Sequence, residues 1–343
     1  MKDIKGKSLL VLLLTSVMLY FILKDDFANV AEILKYTNII WLIVAILVYY
    51  FGSLIQTISL KLIIDQYKKD YSLFKAFRLN VVTNFFNGIT PLASGGQPLQ
   101  VYELHKDKIK VSDGTNIIVE NFLIYQTSLI TLSVFCYIIN AIFNIVHFSF
   151  MLNILFFMGF ILNLVVLIFA YVVGSSKTIS KKIVLTIVKV LVKFKIVRDK
   201  NKIINKLENT CDEFYNGFKD MKKNKEIVIK GFILQLIGTA ITFTTTYFVF
   251  KALNLHIDMN MLECIVTSVF VFIAGAFVPI PGGTGGMEYT FFNFFESFLV
   301  GAPLKSTLLL WRFVTYLFPV VLGGLIFNMR KRERKEFFDN EKK

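Results

Sequence analysis

Six stretches of this sequence, residues 8–23, 38–60, 116–143, 150–173, 228–250 and 305–329, are apolar over most of the length a helix needs to cross a bilayer, about 20 residues. Hydrocarbon offers a backbone no hydrogen-bond partners, so runs of this kind fold as helices that satisfy their own peptide groups. With 55% hydrophobic residues and 36 Phe in 343, the composition excludes a soluble domain and predicts an all-α polytopic membrane protein. The run at 8–23 is short and needs its flanking lysines to snorkel. It follows KDIKGK like the apolar region of a signal peptide, but no small-residue cleavage site follows in LKDDFANV. An uncleaved signal anchor is expected.

Two further apolar segments, 72–104 and 260–300, are interrupted by proline and glycine. The first reads TPLASGGQ at 90–97 and the second FVPIPGGTGGMEY at 277–289. Both contain Pro-x-x-Ser/Thr-Gly-Gly: Pro91, Ser94, Gly95 and Gly96, then Pro281, Thr284, Gly285 and Gly286. The charge pattern decides whether these segments cross. Lys and Arg gather at the N-terminus and at 61–78, 105–114, 174–226 and 330–343, and 174–226 alone carries fourteen against six acids. Basic loops face the cytoplasm. If either broken segment crossed, a basic loop would face outward. Both are therefore expected to be re-entrant hairpins with broken helices, the first from inside and the second from outside.

The order of elements is then two helices, a hairpin and a helix, twice, in opposite orientation. This predicts an inverted-topology repeat of six crossing helices plus two re-entrant hairpins, with a site where the breaks meet. The first repeat occupies 1–173, within which the second begins at about 150. A basic segment follows at 174–226, then the rest of the second repeat at 227–329 and a basic tail at 330–343. The plainer alternative is that the glycines and prolines only kink packed helices. Within 177–226, apolar Ile183, Ile187, Leu191 and Phe194, and then Leu207, Phe214, Phe218 and Met221, line faces of two basic helices. These are expected to lie on the anionic inner leaflet, or to form a solvated loop that fixes orientation. Both termini should be cytoplasmic, in a plasma membrane of bacterial type.

One cation, Arg312, falls deep inside a span, where an unpartnered charge costs about 2.5–3.5 kcal/mol even on lenient scales. A guanidinium suits phosphate. It equally suits an internal ion pair with Glu288, Glu120 or Glu103. Glu120 stands in the first repeat nearly where Arg312 stands in the second, which suggests a pseudo-symmetric acid/base pair. Gly282, Gly283, Thr284, Gly285 and Gly286, with Ser94, Gly95, Gly96 and Gln97, would offer backbone donors at half-helix starts to an anionic headgroup. Gln235, Thr239, Thr242 and Thr246 form a polar stripe better suited to joining helices than to binding a ligand. The three cysteines and three histidines are dispersed. They predict no metal site, and the absence of nucleotide loops predicts no cofactor and no nucleic-acid partner.

FNGITPLASGGQP, FVPIPGGTGGMEY and the late Arg312 together resemble the lysylphosphatidylglycerol synthase transmembrane family, over residues of about 9–329. This is the lipid-flippase half of the multiple peptide resistance factor proteins. The resemblance implies movement of an aminoacylated phosphatidylglycerol or related phospholipid between leaflets, with a separate synthase as partner. This sequence holds no segment large enough for that synthase, so lysyl transfer by the chain itself is not expected. Two other readings stay open: a membrane-embedded transferase using Glu288 or Glu103 as general base, and an ion-coupled small-solute transporter.

Overall fold

The computed structural model describes residues 27–182, 224–255, 257–276 and 278–340, together with 186, 212 and 215–219, with side chains up to Met329. Every regular element among them is helical. In chain order they are α1 (Phe27–Lys35), α2 (Ile39–Tyr67), α3 (Leu73–Gly88), a single turn at Pro91–Ala93, α4 (Gly96–Lys106), α5 (Val111–Phe143) and α6 (Phe150–Ser175). The second half continues with α7 (Lys225–Phe243), α8 (Thr245–Ala252), α9 (Met261–Gly275), a turn at Pro281–Gly283, α10 (Gly286–Phe295) and α11 (Gly301–Arg312). A π turn at Phe313–Leu317 then leads into α12 (Phe318–Asn340).

Among the described residues, five helices are long and apolar enough to cross a bilayer: α2, α5, α6, α7 with α8, and α11 with the first part of α12. They coincide with five of the six apolar runs, and the run at 8–23 lies outside the described residues. Apolar side chains such as Ile154, Phe157, Ile161, Val165 and Phe169 on α6 stay exposed, as lipid-facing residues should. The chain is an all-α polytopic membrane protein.

The helices overrun the apolar runs. α2 continues to Tyr67 through Lys61 and Asp65, which pair one turn apart at 2.5 Å, because the backbone ladder does not stop where hydrocarbon does. α1 lies between the first two apolar runs, and after it Asn38 caps α2 by accepting from the amides of Ile40 and Trp41 while its own amide donates to Ala252 O. Most of 177–226 lies outside the described residues. Of its predicted apolar face, Phe218 is buried against Gly174 and Tyr171. Nearby, a hydrogen bond from Lys177 to Asp212 holds that carboxyl below the usual range.

The broken segments form hairpins, with α3 packed on α4 and α9 on α10. The second arms are short. The 11 residues of α4 and the 10 of α10 rise only about 15–17 Å against about 30 Å of hydrocarbon. The two tips use one backbone device. After Pro91, Leu92 and Ala93 take φ of 53° and 51°; after Pro281, Gly282 and Gly283 take 69° and 63°. The hydroxyl at the fourth motif position closes each turn, Ser94 Oγ donating to Pro91 O at 2.9 Å and Thr284 Oγ1 to Pro281 O at 2.8 Å. This is why the motif keeps its Pro-to-Ser/Thr spacing. The tips touch each other.

Close packing of small residues holds the bundle. α7 lies along α2 with Gly52 facing Gly238, where a Cβ on Gly238 would sit 2.8 Å from Gly52 O. Ser59 Oγ donates to Gly231 O at 3.1 Å and Gln56 Nε2 to Thr239 Oγ1 at 3.2 Å. The polar stripe on α7 and α8 partly serves the same purpose: Gln235 donates to Asn121 and Thr246 shares a bond with Ser268, while Thr242 donates within α7 to Thr239 O. Without a hydrophobic drive between helices in lipid, such approaches carry the association. Gly238→Leu should therefore destabilise the protein by about 1–3 kcal/mol or more. Thermal unfolding in detergent, followed by tryptophan fluorescence, would check this against Ile237→Leu on the exposed neighbouring face.

Candidate functional site

Arg312 is the last residue of α11, and the π turn begins beside it. Only 6% of it is exposed. Its Nε donates to Glu288 Oε1 at 2.5 Å, and its Nη2 donates to Gly282 O at 3.0 Å. The wider turn brings Tyr316 round beneath the guanidinium, with the ring centroid 4.7 Å from Cζ, a cation–π contact. Thr315 Oγ1 takes up Trp311 O at 2.7 Å, where the ordinary helical ladder is interrupted. Insertions of this kind frequently mark functional sites.

Glu288 starts the second arm of its hairpin and is 3% exposed. Its Oε2 accepts from Gly285 N–H at 2.6 Å, so one carboxylate both caps α10 and neutralises Arg312. This settles the choice among the three candidate partners. Glu120 accepts from Gln66 of α2 at 3.5 Å instead, beside Asn116, whose buried side chain makes no hydrogen bond among the described residues. Glu120 therefore forms no ion pair with Arg312 among the described residues. Glu103 is also elsewhere, bound by Lys106 at 3.0 Å near the other end of its hairpin.

The tips supply a carbonyl and a shape more than free donors. Gly95 N–H is taken by Thr90 Oγ1 at 2.9 Å and Gly96 N–H by Asn87 Oδ1 at 2.9 Å. Ser94 lies exposed on the first tip with Gln97 half-buried behind it, while Thr284 is buried and Gly285 exposed on the second. Gly283 is half-buried against Met287, and Gly286 presses on Val278 as the arm starts. Tyr316 OH donates to Gly88 O at 3.1 Å. That bond links the arginine's aromatic floor to the last residue of α3, so both hairpins meet at this point.

The caps Asn87 and Thr90, and the Tyr316 link, were not singled out from the sequence. Tyr316 had a signal, since it follows Arg312 by four residues and residues so spaced share a helix face. The caps lie in FNGIT, directly before the motif, and are polar residues ending an apolar arm.

Helical spans, two broken hairpins meeting tip to tip and a buried arginine–carboxylate pair at their junction define a multi-pass membrane protein with an internal polar site. The family model described as lysylphosphatidylglycerol synthase TM region matches residues 8–323, and the chain belongs to that family. Compared with curated proteins, the chain matches none.

Proposed function

We propose that this protein moves a phospholipid, aminoacylated or of related headgroup, from one leaflet to the other. The observation that carries the reading is Arg312 at the meeting of the two tips. Among the described residues only two of its five N–H donors are taken, by Glu288 and Gly282. A phosphate can accept the remaining donors in the forked geometry that guanidinium favours. Glu288 neutralises the guanidinium, which lowers the cost of holding the charge in the membrane. The tails would stay in lipid between helices while the two repeats, inserted with opposite orientation and with both termini cytoplasmic in a plasma membrane of bacterial type, rock about the junction. A separate lipid-modifying synthase would supply the substrate, and the basic segment 177–226 would rest on the anionic leaflet.

Both oxygens of Glu288 already receive donors, and Lys106 holds Glu103, so neither is well placed as a general base. This favours transport over lysyl transfer. Leaflet-resolved assays in proteoliposomes should show lipid movement that falls roughly tenfold in Arg312→Lys, which keeps the charge and loses the fork. Movement no faster than in protein-free vesicles overturns the proposal. Formation of lysyl lipid from phosphatidylglycerol and lysyl-tRNA by the purified chain would instead establish the enzyme.

A further inference from the structure

Three acids are buried among the described residues, Glu103, Glu120 and Glu288. Lys106 pairs with the first and Arg312 with the third, and Glu120 alone forms no ion pair. It stands nine residues along α5 from Val111, about 14 Å into the helix, and is 2% exposed. A lone carboxylate at such a place is costly, and a counter-ion or a proton is what relieves it.

No counter-ion is in reach. On the elements packed against α5, Lys61 pairs with Asp65, Lys106 with Glu103 and Lys230 with Glu226. Glu263 caps α9, α6 carries no charge, and His105, Lys219 and Lys225 are exposed. Asp113, two turns back on α5, is a further acid, and Tyr67 and Tyr215 bring hydroxyls. The one hydrogen bond to Glu120 comes from Gln66 Nε2 at 3.5 Å. Charge-assisted bonds run at about 2.7–2.9 Å, and the ionised Glu288 receives its donors at 2.5 and 2.6 Å. Gln66 thus meets Glu120 as it would a neutral carboxyl.

One turn before Glu120, on the same face, Asn116 is 3% exposed, and neither Oδ1 nor Nδ2 has a hydrogen bond among the described residues. Gly217 closes over it, so near that a Cβ would fall 2.0 Å from Nδ2. An acceptor and a donor therefore both stand open beside the carboxyl. A protonated Glu120 finds the acceptor in Asn116 Oδ1, and an ionised one finds donors in Asn116 Nδ2 and Gln66 Nε2. Asn224, exposed at the start of α7, donates to Gln66 Oε1 at 2.7 Å, which extends the polar chain from Glu120 to the surface. A metal cation would need several oxygen ligands, whereas Gln66 presents its nitrogen here and its oxygen is taken.

We propose that Glu120 is a proton-carrying site that couples lipid movement to a proton gradient across the membrane. In the conformation described, the carboxyl holds the proton. When the cycle opens this region, the proton passes to water on the Gln66 and Asn224 side. The carboxylate left behind is held by the Gln66 and Asn116 amides until a proton returns. The proton site stands on its own geometry, and the coupling rests on the transport reading above.

Infrared difference spectra of the purified chain in nanodiscs, taken between acid and alkaline buffer, test the site. The wild type should lose a protonated-carboxyl band on going alkaline, and Glu120→Gln should lack that band. Asn116→Leu, which removes the open acceptor, should move it to higher frequency. The same band in Glu120→Gln, or an unmoved one in Asn116→Leu, overturns the site. Should Glu120→Gln lose cooperative unfolding, Asn116→Leu carries the comparison.

Coupling is read in proteoliposomes holding a fluorescent phosphatidylglycerol. For one proton per lipid, a gradient of about one pH unit should skew its leaflet distribution by up to about tenfold. Glu120→Gln should lose that response and Glu120→Asp retain it. Movement that ignores the proton gradient, follows a sodium gradient instead, or keeps its response in Glu120→Gln overturns the coupling and leaves the transport reading standing. No movement by the wild type under any gradient refutes the transport reading, and the infrared band still decides the proton site.

Discussion

Arg312→Ala should destabilise the protein by about 3–5 kcal/mol, because it leaves Glu288 as an unpaired charge in the membrane interior. Glu288→Ala should do the same from the other side and also remove the acceptor for Gly285 N–H. Replacing both, as Arg312→Met with Glu288→Leu, removes the charges together and should cost far less than the sum of the single changes. Unfolding free energies from detergent–denaturant titrations would complete the cycle. A coupling of several kcal/mol is expected, as for groups in direct contact. Additive single effects would mean that the pair does not hold the junction together.

The second large effect concerns two glycines of one motif that differ in why they are needed. Gly285 has φ of +89° and nothing within 4 Å of where a Cβ would sit. Gly285→Ala therefore meets backbone strain alone, about 1–3 kcal/mol. Gly282 has φ of +69°, and a Cβ there would fall 2.4 Å from the Tyr316 ring. The same substitution at Gly282 adds a collision with the side chain that floors Arg312 and reaches Gly88. We expect Gly282→Ala to reduce stability by at least twice as much as Gly285→Ala and to abolish lipid movement. Equal shifts in thermal midpoint for the two variants would show that the ring yields freely and that the tip is not packed as described.

Much of this architecture was legible in the sequence because a bilayer punishes error severely. An apolar run of bilayer length has few alternatives to a helix, and Pro with Gly-Gly in such a run marks a break that must be protected. The spans and hairpins follow from this, as does the meeting of the tips implied by two matching motifs. Partner choice was not legible. Glu288, Glu120 and Glu103 all offered a buried carboxylate for Arg312, and only the fold sends Glu120 to Gln66 and Glu103 to Lys106. Three of the donors expected from the glycines, on Gly96, Gly95 and Gly285, are taken by Asn87, Thr90 and Glu288, since side-chain capping leaves no trace in hydropathy. α1 escaped for a related reason. It is one helix of nine residues whose apolar side chains share a face, too short to register as a run of bilayer length.

The bond between Tyr316 and Gly88 spans 228 positions of sequence, and that separation bears on how the protein is made. The first hairpin can be synthesised and inserted long before residue 316 leaves the ribosome, since chain growth proceeds at about 5–20 residues per second. For at least about ten seconds its tip sits in the membrane without the aromatic ring and guanidinium that later close over it. During that interval the growing chain has a polar opening that only its last span can seal. A delay late in translation would leave that opening to be filled by a chaperone, a neighbouring protein or water.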